Sequence, residues 1–181
     1  MQTIPSTRHE AFHAALAAPD RAPEIPADRD LYGFLVGDWD LDVLYYWEDV
    51  SGRGLTGELH AIRILEGRAI QDLWIMPRRP DRHGAPDPKA DMYGTTLRVW
   101  VPTIDGWSIT WFNPVAEQKV DQVGRRDGED IVQVGTLPDG TATRWRFSEI
   151  GQDSFHWIGE AFDQDRRAWV RQGEFRARRR G

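Results

Sequence analysis

The chain has 181 residues, 40% hydrophobic and 29% charged, which is enough for one domain and excludes two full-sized catalytic domains or a disordered chain. It contains no cysteine, so disulfides, thiolate nucleophiles and cysteine-ligated metal or iron–sulfur centres are all excluded. A formal net charge of −6 disfavours nucleic acid as a partner, and no segment reaches the roughly 20 apolar residues of a membrane span, so the expectation is a cytoplasmic chain with neither partner.

In chain order, the Ala-rich segment from Arg8 to Ala18 predicts a short helix, with Phe12 and Leu16 on one face. Pro19, Pro23 and Pro26 then impose an extended connector. Residues 1–30 thus read as an arm and residues 31–181 as the domain proper. From Phe34 to Trp47 the sequence alternates, with Trp39, Leu41, Val43, Tyr45 and Trp47 on one face and Asp38, Asp40, Asp42, Leu44 and Tyr46 on the other. Nine further strands are predicted at Leu55–Leu65, Arg68–Met76, Met92–Val101, Trp107–Asn113, Val120–Arg126, Asp130–Thr136, Thr141–Ile150, Ser154–Asp163 and Ala168–Arg178. Most connectors are short and rich in Gly or Asp, as at Asp127-Gly128 and Pro138-Asp139-Gly140. Pro77 to Ala90 is the exception, a Pro-rich polar stretch that reads as an exposed loop. The Arg-rich end, Arg176 and Arg178 to Arg180, reads as a solvated terminus.

Consecutive strands without intervening helices exclude a parallel α/β sheet and predict an all-β antiparallel meander. Closing into a single up-and-down barrel of about 8–10 strands removes its edges, and a barrel of that size has room for one small ligand. An open sandwich is the other architecture compatible with the pattern.

Gly37-Asp38-Trp39, at the start of the first long strand after an irregular arm, resembles the Gly-x-Trp signature of lipocalin and other calycin barrels. The layout resembles that of uncharacterised bacterial calycin-like proteins. The resemblance implies that Trp39 plugs the closed end, with an Arg from near the last strand packed over it, either Arg176 or Arg171. No second lipocalin motif is evident. Some calycin-like barrels bind haem through one histidine, for which His156 would be the proximal ligand; no cofactor and no metal are otherwise expected, because His-x-His and His-Glu-x-x-His spacings are absent.

Nine tryptophans are a heavy load for one domain, and aromatic side chains either fill a core or line a pocket. Trp107, Ile109, Trp111 and Asn113 share one strand face; Tyr93, Thr95, Leu97 and Val99 share another, opposite Arg98 and Trp100. The candidate ligand-binding residues are therefore Trp39, Tyr45, Trp74, Tyr93, Trp111, Asn113, Trp145 and Trp157. Asp72 falls among Ile70, Trp74 and Met76, which predicts a buried ion pair with Arg68, Arg98, Arg144 or Arg146 ahead of a ligand-facing carboxylate. His60 and His156 are the histidines on predicted strands, and alternation leaves the direction of the His156 strand open.

Three functions fit. The first is a binding protein that holds a small apolar or aromatic molecule inside a Trp-rich barrel. The second is a cofactor-free isomerase, cyclase or lyase with His60 or His156 as acid/base, Asp72 as a carboxylate and Arg98 or Arg144 orienting an anionic or carbonyl group. The third is a structural homodimer with no ligand, joined through exposed aromatic residues.

Overall fold

The structure is a computed structural model that describes residues 8–181, with side chains from residue 10; residues 1–7 of the predicted arm lie outside the described residues. A helix, α1 (Arg8–Leu16), leads into a two-residue strand, β1 (Ala17–Ala18). After an irregular stretch come β2 (Gly37–Tyr46), β3 (Glu48–Asp49), β4 (Thr56–Ile64), β5 (Ala69–Met76), β6 (Met92–Val101) and β7 (Gly106–Asn113). The remainder is β8 (Gln118–Asp127), β9 (Asp130–Thr136), β10 (Ala142–Ser148), β11 (Ser154–Asp163) and β12 (Ala168–Arg179).

Each long strand pairs antiparallel with its neighbour in sequence, and β2 pairs with β4 on one side and β12 on the other. The sheet therefore closes as an up-and-down barrel of ten strands. Strands β1 and β3 are short additions to the ends of β4 and β2. Closure pairs both edges that a meander would otherwise leave open. Among the described residues no helix is long and apolar enough to cross a membrane.

The hairpins form where Gly and Asp permit left-handed backbone, as at Asp105, Gly128 and Gly140. Gly67 is needed twice over: its φ is +82°, and a Cβ there would sit 2.1 Å from the Asp20 carbonyl oxygen. The close approach lets the Ala22 amide donate to the Gly67 carbonyl at 3.1 Å, tying the N-terminal arm to the β4–β5 turn. Phe12 of α1 remains exposed.

That arm, continued through residues 31–36 into β2, closes one end of the barrel. Tyr32 and Leu35 are fully buried, and the Trp39 and Trp107 indoles each donate at 2.8 Å to an arm carbonyl, those of Leu35 and Arg29 respectively. The Arg63 guanidinium grips Asp30 with two hydrogen bonds, at 2.6 and 3.1 Å. Phe147 and Phe155 pack edge-on around Phe34 at ring separations of 5.8 and 5.6 Å.

Two bulges decide which side chains face inward. On β2, Tyr45 and Tyr46 pair with Glu174 and Gly173, but Val43 pairs with Phe175, so Leu44 has no partner. One extra residue reverses the alternation beyond it. Tyr45, predicted to share the inward face of Trp39, Leu41 and Val43, therefore turns outward beneath the Arg171 guanidinium, 5.6 Å from its ring. Tyr46 takes the inward place. A second bulge, at Gln172, shifts β12 against β11.

The expected arginine partner of Trp39 also changes. Phe175 and Ala177 set the inward phase of β12, and Arg179 lies on that phase whereas Arg176 does not. Arg179 stacks over Trp39 at 4.1 Å, while Arg176 reaches outward to Glu149 at 2.8 Å and Arg171 to Tyr45 and Glu174.

Candidate functional site

Away from the arm, the barrel holds a cavity. Its volume is about 90 Å³, room for a small molecule or one ring-sized group rather than a drug-sized one. The mouth lies between the half-exposed Trp47 and Gln118. Four indoles form the walls: Trp74 on β5, Trp111 on β7, Trp145 on β10 and Trp157 on β11. They touch in sequence around the barrel, with ring separations of 5.6 Å for Trp74–Trp157, 5.6 Å for Trp145–Trp157 and 6.4 Å for Trp111–Trp145.

Glycines make room for these rings. A Cβ at Gly94 would meet the Trp111 ring at 2.2 Å, and one at Gly159 would meet Trp157 at 2.5 Å. Gly159 pairs with Gly173, so the six-membered edge of the Trp157 indole lies over a bare patch of backbone.

The floor is a sealed polar layer. Asp72 and Arg98 are each 1% exposed and form an ion pair, so the arginine that reaches Asp72 is Arg98. Asp72 also accepts a hydrogen bond from the Thr96 amide at 3.0 Å, which occupies its second oxygen. Arg98 donates to Gln133 at 3.5 Å; Gln133 donates to Gln122 at 3.5 Å, and Gln122 to the Thr143 hydroxyl at 3.1 Å. A buried charge without a partner would cost several kcal/mol, and the pair removes that cost while leaving no net charge. Below it, the Tyr32 ring lies 5.0 Å from the Arg98 guanidinium. Burial raises the Tyr32 phenol well above its ordinary range, only partly offset by Arg98, and its hydroxyl has no hydrogen-bond partner. At the mouth, burial likewise raises the Tyr46 phenol and keeps it neutral.

The structure thus brings together Trp74, Trp111, Asn113, Trp145 and Trp157 around the cavity, with Arg98 and Asp72 at its base. Other candidates lie elsewhere. Trp39 is in the closed end, and Tyr93, on the outward phase of β6, is 39% exposed beneath Arg82. Arg144 also faces outward; it binds Glu160 at 2.7 Å and stacks on Trp169 at 4.4 Å.

Both strand histidines lie on the outside of the barrel. His156 bridges Glu174 at 2.8 Å and Glu149 at 3.5 Å. His60 sits between Asp38 at 2.6 Å and Glu58 at 3.1 Å. Glu58 is almost fully buried, and burial alone would raise its pKa. Hydrogen bonds from the Arg79 backbone amide at 2.9 Å and its Nε at 2.7 Å, together with His60, outweigh that and lower it to about 2. The cluster pins the start of the Pro77–Ala90 loop to the barrel wall. Among the described residues no histidine lines the cavity, and no three His, Asp or Glu residues are grouped to hold a metal ion. The arrangement suits enclosure of a molecule better than proton transfer to it.

Residues missed in the sequence include Tyr46, Gln118 and Thr143. The bulge hid the first. The other two lie on strand phases set by Val120 and Phe147, a signal present in the alternation of β8 and β10.

The fold and the cavity define a class: a closed antiparallel barrel with one plugged end and an aromatic-walled chamber at the other. No protein-family model matches the chain, and no curated protein matches it.

Proposed function

We propose that this chain is a calycin-like binding protein of the cytoplasm that encloses one small, mainly aromatic molecule. The observation that carries the reading is the ring of Trp74, Trp111, Trp145 and Trp157 around unfilled space above a neutralised ion pair. A ring stacked on such indoles gains about 0.5–1.5 kcal/mol per contact beyond its burial. Trp39 beneath Arg179, at the plugged end, supports the calycin likeness, and a cysteine-free chain needs no oxidising compartment. The outward His60 and His156 weigh against acid/base catalysis by a barrel histidine.

Titrating the protein with a panel of planar aromatic compounds while following tryptophan emission tests the proposal. Saturable quenching is the expected result, because the four wall indoles would touch the ligand. Emission that changes only linearly with every compound would exclude an enclosed aromatic ligand.

A further inference from the structure

The chamber holds one ring-sized group, yet the space available to a ligand continues past its mouth. Tyr46, Trp47 and Gln118 line both the chamber and a wider, open recess outside it, which Glu48, Pro88 and Lys89 help to form. Pro88 and Lys89 belong to the Pro77–Ala90 loop, whose start is fixed to the barrel wall by Arg79 on Glu58. Trp47 stands where the two spaces meet. Its backbone is left-handed, with a φ of +60°; its amide donates to the Gln172 carbonyl at 2.9 Å, and the residue is 53% exposed. A bulky residue is disfavoured in that conformation, which glycine adopts freely. Folding gains little from a strained indole half in water, so the position reads as a binding surface.

Charge sorts the two spaces. Inside the chamber Arg98 is spent on Asp72, and Glu160, held by Arg144 through one oxygen, keeps the other free, so a buried anion there would lack a partner. Outside, Glu48 is held by Arg53 at 2.8 Å, and Asp91, at the end of the loop, by Arg82 at 3.5 Å. Lys89 donates its backbone amide to Asp87 at 2.9 Å, but among the described residues its ammonium has no carboxylate partner. The recess thus sets an unpaired cation near an exposed aromatic face.

We infer that the ligand has two parts: an aromatic ring held among the wall indoles, and a short chain that leaves through the mouth, lies against Trp47 and ends in an anionic group at Lys89. The inference rests on the binding-barrel reading and specifies its ligand class, an aryl group on a short acid-terminated chain. Three probes separate the parts. Toluene supplies the ring alone, 6-phenylhexanamide adds the chain, and 6-phenylhexanoate adds the charge.

Calorimetric titration of the full chain at low ionic strength should show the amide bound about tenfold more tightly than toluene, the worth of a few partly buried methylenes. The acid should bind about threefold more tightly again, as an exposed ion pair allows. Trp47→Gly removes the indole at a position that suits glycine; it should bring the amide to within about threefold of toluene and leave toluene binding unchanged. Should that variant fail to fold, Trp47→Asn, which also tolerates left-handed backbone, carries the same expectation. Lys89→Gln, on the exposed loop, should erase only the advantage of the acid over the amide. Equal binding of acid and amide to the native chain, an acid advantage that survives Lys89→Gln, or an amide advantage that survives loss of the Trp47 indole would overturn the inference while leaving an aromatic-binding barrel intact. Binding of none of the three would overturn the barrel reading itself.

Discussion

The Arg179 guanidinium lies 4.1 Å from the centre of the Trp39 ring and donates to the carbonyls of Val36 at 2.9 Å and Phe34 at 2.8 Å. One side chain from the last strand thus locks the β2 tryptophan and the turn that leads into β2 together. Arg179→Met keeps much of the apolar stem but removes the cation and three hydrogen bonds, those to Val36 and Phe34 and one from Nε to the Gln152 carbonyl at 2.9 Å, and it should destabilise the protein by about 2–4 kcal/mol. Arg179→Lys should recover less than half of that, because an ammonium cannot both stack and donate in a plane. Urea unfolding of the three proteins measures both; full recovery by lysine would contradict the planar arrangement.

The Asp72–Arg98 pair is sealed beneath the cavity, so its two halves depend on one another. Either Asp72→Leu or Arg98→Met alone strands a buried charge and should cost about 3–5 kcal/mol. The double variant should be more stable than either single one, and a double-mutant cycle in denaturant reads the coupling directly. Additive losses would mean that the two groups act separately.

Glu58 gives the outer wall an acid-sensitive contact. Its native pKa of about 2 lies below its ordinary value of 4.5, so its contribution is complete above about pH 4.5 and fades as pH falls toward 2. Arg79 is half exposed and its attraction is screened, so the contribution is about 2 kcal/mol rather than the full shift would suggest. Glu58→Gln should lower stability at pH 7 and flatten its decline between pH 5 and 2, a difference that urea melts across that range would reveal.

Gly159 is the seat of Trp157. Gly159→Ala would place a methyl group 2.5 Å from the indole and force the ring off the β-bulged backbone toward the cavity. The expected cost is about 1–3 kcal/mol of stability, together with a shift in tryptophan emission and weaker aromatic binding. Unchanged emission would show that the ring has another place to go.

The barrel was legible in the sequence because turn residues and alternation agree over ten segments, and those signals are local. Alternation grouped Trp107, Ile109, Trp111 and Asn113 on one face of β7 but left the direction of β5, which carries Trp74, open, because both of its faces are largely apolar. Tyr45 and Tyr46 exchanged places because a bulge at Leu44 is set by pairing with β12, 130 or so residues away, and nothing near Leu44 announces it. His60 and His156 occupy strand phases that mix apolar and polar residues. Their partners, Asp38 and Glu174, come from the adjacent strands β2 and β12, and alternation alone does not give the register that sets them side by side. The choice of Arg179 over Arg176 was available in principle, since Phe175 and Ala177 already define the inward phase of β12.

The central claim is that the Trp-walled chamber receives a ligand, and blocking the chamber tests it most directly. Ala161 lies on the inward phase of β11 at the cavity wall, so Ala161→Phe fills the space without touching the plugged end. Calorimetric titration with naphthalene should give one saturable site on the native chain and none on the blocked variant, with the circular dichroism of the two alike. No binding to the native chain, or equal binding to a folded Ala161→Phe variant, would contradict the account.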